Sequence, residues 1–167
     1  MSIDPQTRER VTRLLGREPR GLEDVPVYAA NGDPAVIRVA SLVDDRPFPT
    51  LFWLVDADLG YRIDQVEAGG LIARLQAAID ADPGLQASMR ADHERHIALR
   101  DSYISAADRQ RLAELGFADV LSGKGIGGLG RFDRIRCLHT WYAAHLVEPN
   151  TVGRLLDAYW ATAGQGN

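Results

Sequence analysis

Cys137, the single cysteine of the chain, stands two residues before His139 in the stretch RFDRIRCLHTWYAAHL, with Arg131, Arg134 and Arg136 close by. A thiol near an imidazole and two or three guanidinium groups has the parts of a nucleophilic pair or of half a metal site. Spacing argues against both if Asp133 caps a helix that runs unbroken through 133–147. At about 100° per residue, Ile135, His139, Tyr142 and Leu146 share one face, whereas Cys137 turns toward Trp141 and Ala144, about 160° from His139. On that geometry His139 faces a pocket as a catalytic candidate. Cys137 is then either a small buried hydrophobe or a thiolate activated by Arg134 and Arg136.

A second pair lies in DHERH: His93 and His96, three residues apart, project from one helix face. His96 continues the stripe of Leu85, Met89, Leu99 and Tyr103, and His93 flanks it with Arg100, so an apolar surface is expected to open into a polar pocket. His93 and His96 can hold a divalent metal with Asp56 and either Cys137 or His139. Alternatively, His93 is a general acid/base. An ordinary solvated helix face is the plain alternative. The metalloprotease motif H-E-x-x-H is excluded, because its histidines are four apart.

The loop SGKGIGGLGR holds five glycines, among them Gly127 and Gly128, ahead of a helix. Backbone amides freed by glycine, with Arg131 and Arg134 beside them, make an anion cradle for phosphate or carboxylate. It is neither a Walker A loop, since Lys124 precedes glycine, nor a dinucleotide fingerprint, since no βαβ unit surrounds it. A flexible loop is the competing reading, as a turn residue is for Asp56.

These side chains must be positioned by a small β element and many helices. Asp4 and Pro5 open a helix that stops at Gly16, and GREPRG follows as a basic connection. PAVIRVAS (34–41) and TLFWLVD (50–56) read as an antiparallel pair around a turn-rich LVDDRPFP, the second strand expected to be the more buried. Helical periodicity then takes over. Two helices break at Gly69-Gly70, a long one starts near Pro83, another ends at Gly116, and PNTVGRLLDAYWATA (149–163) makes a short last one. The expected class is α+β: a small antiparallel element packed on a mostly helical single domain, 1–167, with a buried central helix near 133–147. Residues 1–16 form an amphipathic N-terminal helix, and 162–167 a frayed tail.

Of 167 residues, 46% are hydrophobic and 25% charged, with a formal net charge of −4, so no basic field favours nucleic acid. No apolar run approaches the roughly 18 residues of a membrane span, and one cysteine makes no internal disulfide, which together suggest a cytoplasmic protein.

Five segments in order, LGREPRG (15–21), GDPAVIRV (32–39), PFPTLFWL (47–54), DHERH (92–96) and RIRCLH (134–139), resemble the actinobacterial domain-of-unknown-function family number 501. The resemblance runs from about Leu15 to Leu146 and implies no assigned activity. It also implies a cysteine near Ala29 and another near Asp56, which with Cys137 and nearby histidines would form a thiolate-rich metal site. This chain keeps only Cys137, which marks it as a divergent member.

Three functions follow as expectations. The first is binding of, or action on, a small anionic metabolite by His93, His96, Arg100, Tyr103 and Asp56, with His139 or Cys137 opposite and Arg131, Arg134, Gly127 and Gly128 holding the anion. The second is a metal- or cofactor-binding protein, with His93, His96 and Asp56 as ligands beside Cys137 or His139. The third is an interaction module that meets a protein partner, or a second copy of itself, through Val11, Leu14 and Leu15 of the first helix.

Overall fold

A computed structural model describes residues 2–165. In chain order the elements are α1 (Pro5–Leu15), β1 (Leu22–Tyr28), β2 (Pro34–Val39), β3 (Leu42–Val43), β4 (Arg46–Pro47), β5 (Phe52–Leu54), α2 (Ala57–Ala68), α3 (Leu71–Asp80), α4 (Pro83–Tyr103), α5 (Ala106–Glu114), α6 (Leu138–Val147) and α7 (Thr151–Gln165). The class is α+β, with an antiparallel sheet in the order β1-β2-β5 and a separate β3–β4 hairpin.

Alternation along the strands divides the interior in two. Val36 and Phe52 point to a large core that they share with α2, α3, α4, α6 and α7. Ile37, Val39 and Trp53 point to the opposite side, where α1 lies with Val11 fully buried. Asp4 caps α1 by accepting from the amide of Thr7 at 2.9 Å, and Gly16 ends it at φ 78°, a conformation that costs glycine little. Leu14 and Leu15 pack against the same inner cluster. The face expected to meet a partner is therefore turned inward.

Other expectations need correcting. β2, not the second run, is the more buried strand, because it is central: β1 pairs on one side and β5 on the other. β1 escaped the sequence pattern because Pro26 and Asp24 interrupt it, and its pairing with β2 is broken by register shifts, as suits an edge strand. LVDDRPFP is more than a connection. Asp44 and Asp45, at φ 52° and 59°, form the two-residue turn of the β3–β4 hairpin, a conformation Asp tolerates better than most residues. The expected frayed tail is helical as far as Gln165, and 166–167 lie outside the described residues.

The buried central helix is present, but it starts at Leu138 rather than Asp133. The reason is tertiary. Gln76 of α3 donates to the carbonyl of Asp133 at 2.8 Å and accepts from the amide of Ile135 at 2.9 Å, which occupies backbone groups that a helix would need. Glu67 of α2 then accepts the amide of Leu138 at 2.7 Å and begins α6 there. Trp141, Ala143 and Ala144 fill the space between the sheet and α7.

Gly125 tests this packing. A Cβ there would occupy the ring of His93, which is held between Phe132 and Trp141 with ring centroids 4.7 and 4.8 Å away. Gly125→Ala is expected to lower unfolding free energy by about 1–3 kcal/mol in urea titrations, the usual cost of overpacking. An unchanged midpoint would contradict this packing.

Candidate functional site

His93, His96 and Arg100 all face inward from α4, but the apolar stripe does not open into a pocket. His93 is fully buried, and its Nδ1 accepts the amide of Ile126 at 2.9 Å. His96 meets the edge of Phe52, and the void beside it, about 20 Å³, is too small for a metabolite. Arg100 is 1% exposed, and its guanidinium is spent on backbone carbonyls: Pro49 at 3.0 Å, Lys124 at 2.7 Å, and Leu121. The neighbouring Asp92 accepts the amide of Thr151 at 2.8 Å and so caps α7. Asp92, His93 and Arg100 thus organise loops and a helix end, whereas Nε2 of both His93 and His96 is buried without a hydrogen-bond partner among the described residues.

Burial pushes the His93 imidazole down from 6.5 to about 4. Burial, then the charge of Arg100, pushes His96 down to about 3. Burial thus favours the neutral form of both rings near neutral pH and sets His93 below the range best suited to acid/base work there.

The remaining expected partners are dispersed. Asp56 caps α2 by accepting from the amide of Leu59 at 2.9 Å. Tyr103 is 43% exposed and lies under the Arg38 guanidinium, 3.8 Å from its centroid. Arg131 and Arg134 lie near Asp133 and Asp80, at 3.8 and 3.7 Å. The glycine loop spends several of its amides on its own fold: Gly125 donates to Leu129, Ile126 to His93 and Gly128 to Gly125. Gly127 and Gly128 have φ 69° and 77°; a Cβ at Gly127 would clash with Thr140 Oγ1 and one at Gly128 would crowd Pro49.

What the structure brings together is the pair that helical geometry had separated. Cys137 is extended, at φ −152° and ψ 125°, one residue before α6 begins, so its side chain swings back toward His139. Its Sγ stands 3.6 Å from His139 Nδ1. Glu67 Oε1 is 3.5 Å from the same nitrogen, and Asp64 Oδ1 is 2.9 Å from His139 Nε2. Among the described residues, Glu67, Cys137 and His139 form a cluster of three potential metal donors, all within 4.8 Å of one another. Cys137 and His139, but not Glu67, border a cavity of about 290 Å³ whose lining also includes Thr140, Gly127, Trp53 and Arg136.

Asp64 and Glu67 were missed from sequence. Their one signal is three-residue spacing on α2, which sets two carboxylates on one face. Nothing in the sequence shows that this face meets the start of α6.

In class, this is a small α+β protein with a cluster of potential sulfur, nitrogen and oxygen donors beside a cavity. The profile of the family described as "Protein of unknown function (DUF501)" matches residues 25–158, and the chain belongs to that family. No curated protein and no solved structure matches it. No helix among the described residues is long and apolar enough to cross a membrane.

The depressed histidines set a sign for stability against pH. Above pH 6.5 both rings are neutral whether the chain is folded or not. Below it, the unfolded chain takes up protons that the folded one refuses until about 4 and 3, so stability falls as pH drops through this window. Urea midpoints from pH 7 down to about 4 should show the fall, and His96→Leu should flatten it. An identical slope in the variant would contradict a buried neutral His96.

Proposed function

We propose that the protein binds a divalent metal of the zinc class through Glu67, Cys137 and His139, and that the metal faces a small anionic ligand in the adjoining cavity. The observation that carries this reading is the spacing of the donors. Ligand atoms about 2.0–2.3 Å from a tetrahedral zinc-class ion stand about 3.3–3.6 Å apart. The sulfur and carboxylate oxygen lie 3.6 and 3.5 Å from His139 Nδ1. Both separations suit edges of a coordination polyhedron; the carboxylate contact is long for a direct hydrogen bond, whereas the sulfur contact is also within reach of one.

The surroundings support the same reading. A metal-bound imidazole commonly donates its other N–H to a carboxylate, and Asp64 stands at that nitrogen, 2.9 Å away. The amide of Leu138 orients Glu67. Three protein ligands leave a fourth position for water or a ligand, the pattern of sites where zinc acts as a Lewis acid. Arg136 lines the cavity and supplies a positive charge to a carboxylate or phosphate. The anion-binding role expected of Arg131 and Arg134 thus passes to Arg136, and the ligand role of His93 and His96 to Cys137 and His139.

A second reading rests on the line Cys137 Sγ, His139 Nδ1, His139 Nε2 and Asp64. A thiol, an imidazole and an orienting carboxylate in that order can form an activated thiolate without metal.

Elemental analysis of untagged protein separates the two. The metal reading expects about one zinc-class ion per chain, lost in Cys137→Ala, with Asp64→Asn weakening affinity about 10–100-fold. Protein that stays metal-free in zinc-supplemented buffer would sink it. Fast alkylation of Cys137 that slows in His139→Asn and ignores chelators would favour the thiolate.

A further inference from the structure

The other face of the sheet carries a larger cavity that takes no part in the donor cluster. Helix α1 is 11 residues long and stops at Gly16, so it spans only about 16 Å. The chain then turns away through Arg17 to Arg20, and the β3–β4 hairpin stands opposite. Between them lies a groove of about 680 Å³, within the roughly 300–1,000 Å³ typical of small-molecule sites.

Its surfaces have two characters. The floor is aliphatic: Ile37 and Val39 of β2, 1% and 4% exposed. One wall is aromatic. Phe48 and Trp53 are stacked with ring centroids 5.8 Å apart and planes 5° from parallel. The rim is basic. Arg17, Arg20 and Arg46 line the groove against a single carboxylate, Asp44, which already pairs with Arg20 at 3.1 Å. Arg17 lies over the Trp53 ring, 5.8 Å from its centroid, and among the described residues neither it nor Arg46 has an acidic partner within salt-bridge distance. Two guanidinium groups without acidic partners beside an apolar slot, one of them over Trp53, stand out on a chain of net charge −4.

We propose that this groove binds a small organic anion with a planar aromatic body. The ring system slides along Phe48 and Trp53 over the Ile37–Val39 floor, and its carboxylate or phosphate meets Arg17 and Arg46. The aromatic wall favours a flat ring over a flexible chain, which would lose more rotational freedom on binding. The guanidinium pair selects planar oxyanions and stacks on the ligand or on Trp53. The volume of about 680 Å³ is that of a small-molecule site, which favours a small ligand over a protein segment. The groove shares Trp53 with the cavity beside Cys137 and His139, but none of Glu67, Cys137 and His139 lines it, so its binding is read without any metal there.

The test is isothermal titration calorimetry on full-length protein with naphthoate, naphthyl phosphate, decanoate and neutral naphthylmethanol. At least one of the two aromatic anions is expected to bind saturably, one per chain, more tightly than decanoate or naphthylmethanol. The double variant Arg17→Ala, Arg46→Ala should weaken that binding by about tenfold or more. Both arginines are exposed, so the variant should keep the wild-type melting temperature, which is measured alongside. Whichever of the two aromatic anions binds identifies the oxyanion. No saturable binding of either would overturn the proposal. Tighter binding of decanoate, or equal binding by the double variant, would do so as well.

Discussion

The carboxylate of Glu67 holds the backbone N–H of Leu138 at 2.7 Å, and the candidate centre depends on that contact. A charge-assisted bond of this kind contributes about 1.5–3 kcal/mol. Its larger consequence is positional. It starts α6 at Leu138, leaves Cys137 extended, and brings Glu67 itself to the imidazole. Without it, and without Gln76 binding the backbone of Asp133 and Ile135, α6 could extend backwards and turn Cys137 away from His139. One carboxylate thus caps a helix and stands in the candidate donor set, so local structure and the proposed chemistry share a cause.

The polar residues of α4 illustrate the opposite case. Asp92, His93 and Arg100 are the types expected of an active site, yet each satisfies a backbone group of a neighbouring element. Arg100 alone ties Pro49, Leu121 and Lys124, anchoring the glycine loop and the approach to β5. Buried polar groups are retained when they are bonded, and here the bonds hold the two loops that flank the cavity.

Sequence patterns made most of the framework legible. Asp4 with Pro5, Gly69-Gly70, Pro83 and Gly116 mark helix ends in the structure, because capping and φ preferences act locally. The β2–β5 pair and the buried character of α6 followed from apolar runs. β1 stayed hidden because its edge position tolerates Pro26 and charge. At the centre, Cys137 and His139 were visible as types, but their relation was misjudged, since a helix start set by Glu67 and Gln76 from elsewhere in the chain leaves no local signature. Asp64 and Glu67 look like any exposed acidic pair until α2 is laid against α6.

The central claim is that Cys137, His139 and Glu67 share one metal ion, and the absorption spectrum of cobalt-substituted protein tests it most directly. Thiolate ligation predicts a near-ultraviolet sulfur-to-cobalt charge-transfer band, and four-coordinate geometry predicts intense visible bands, both at one cobalt per chain. The charge-transfer band should disappear in Cys137→Ser. A spectrum no different from that of aqueous cobalt would contradict the account, as would a charge-transfer band that survives Cys137→Ser.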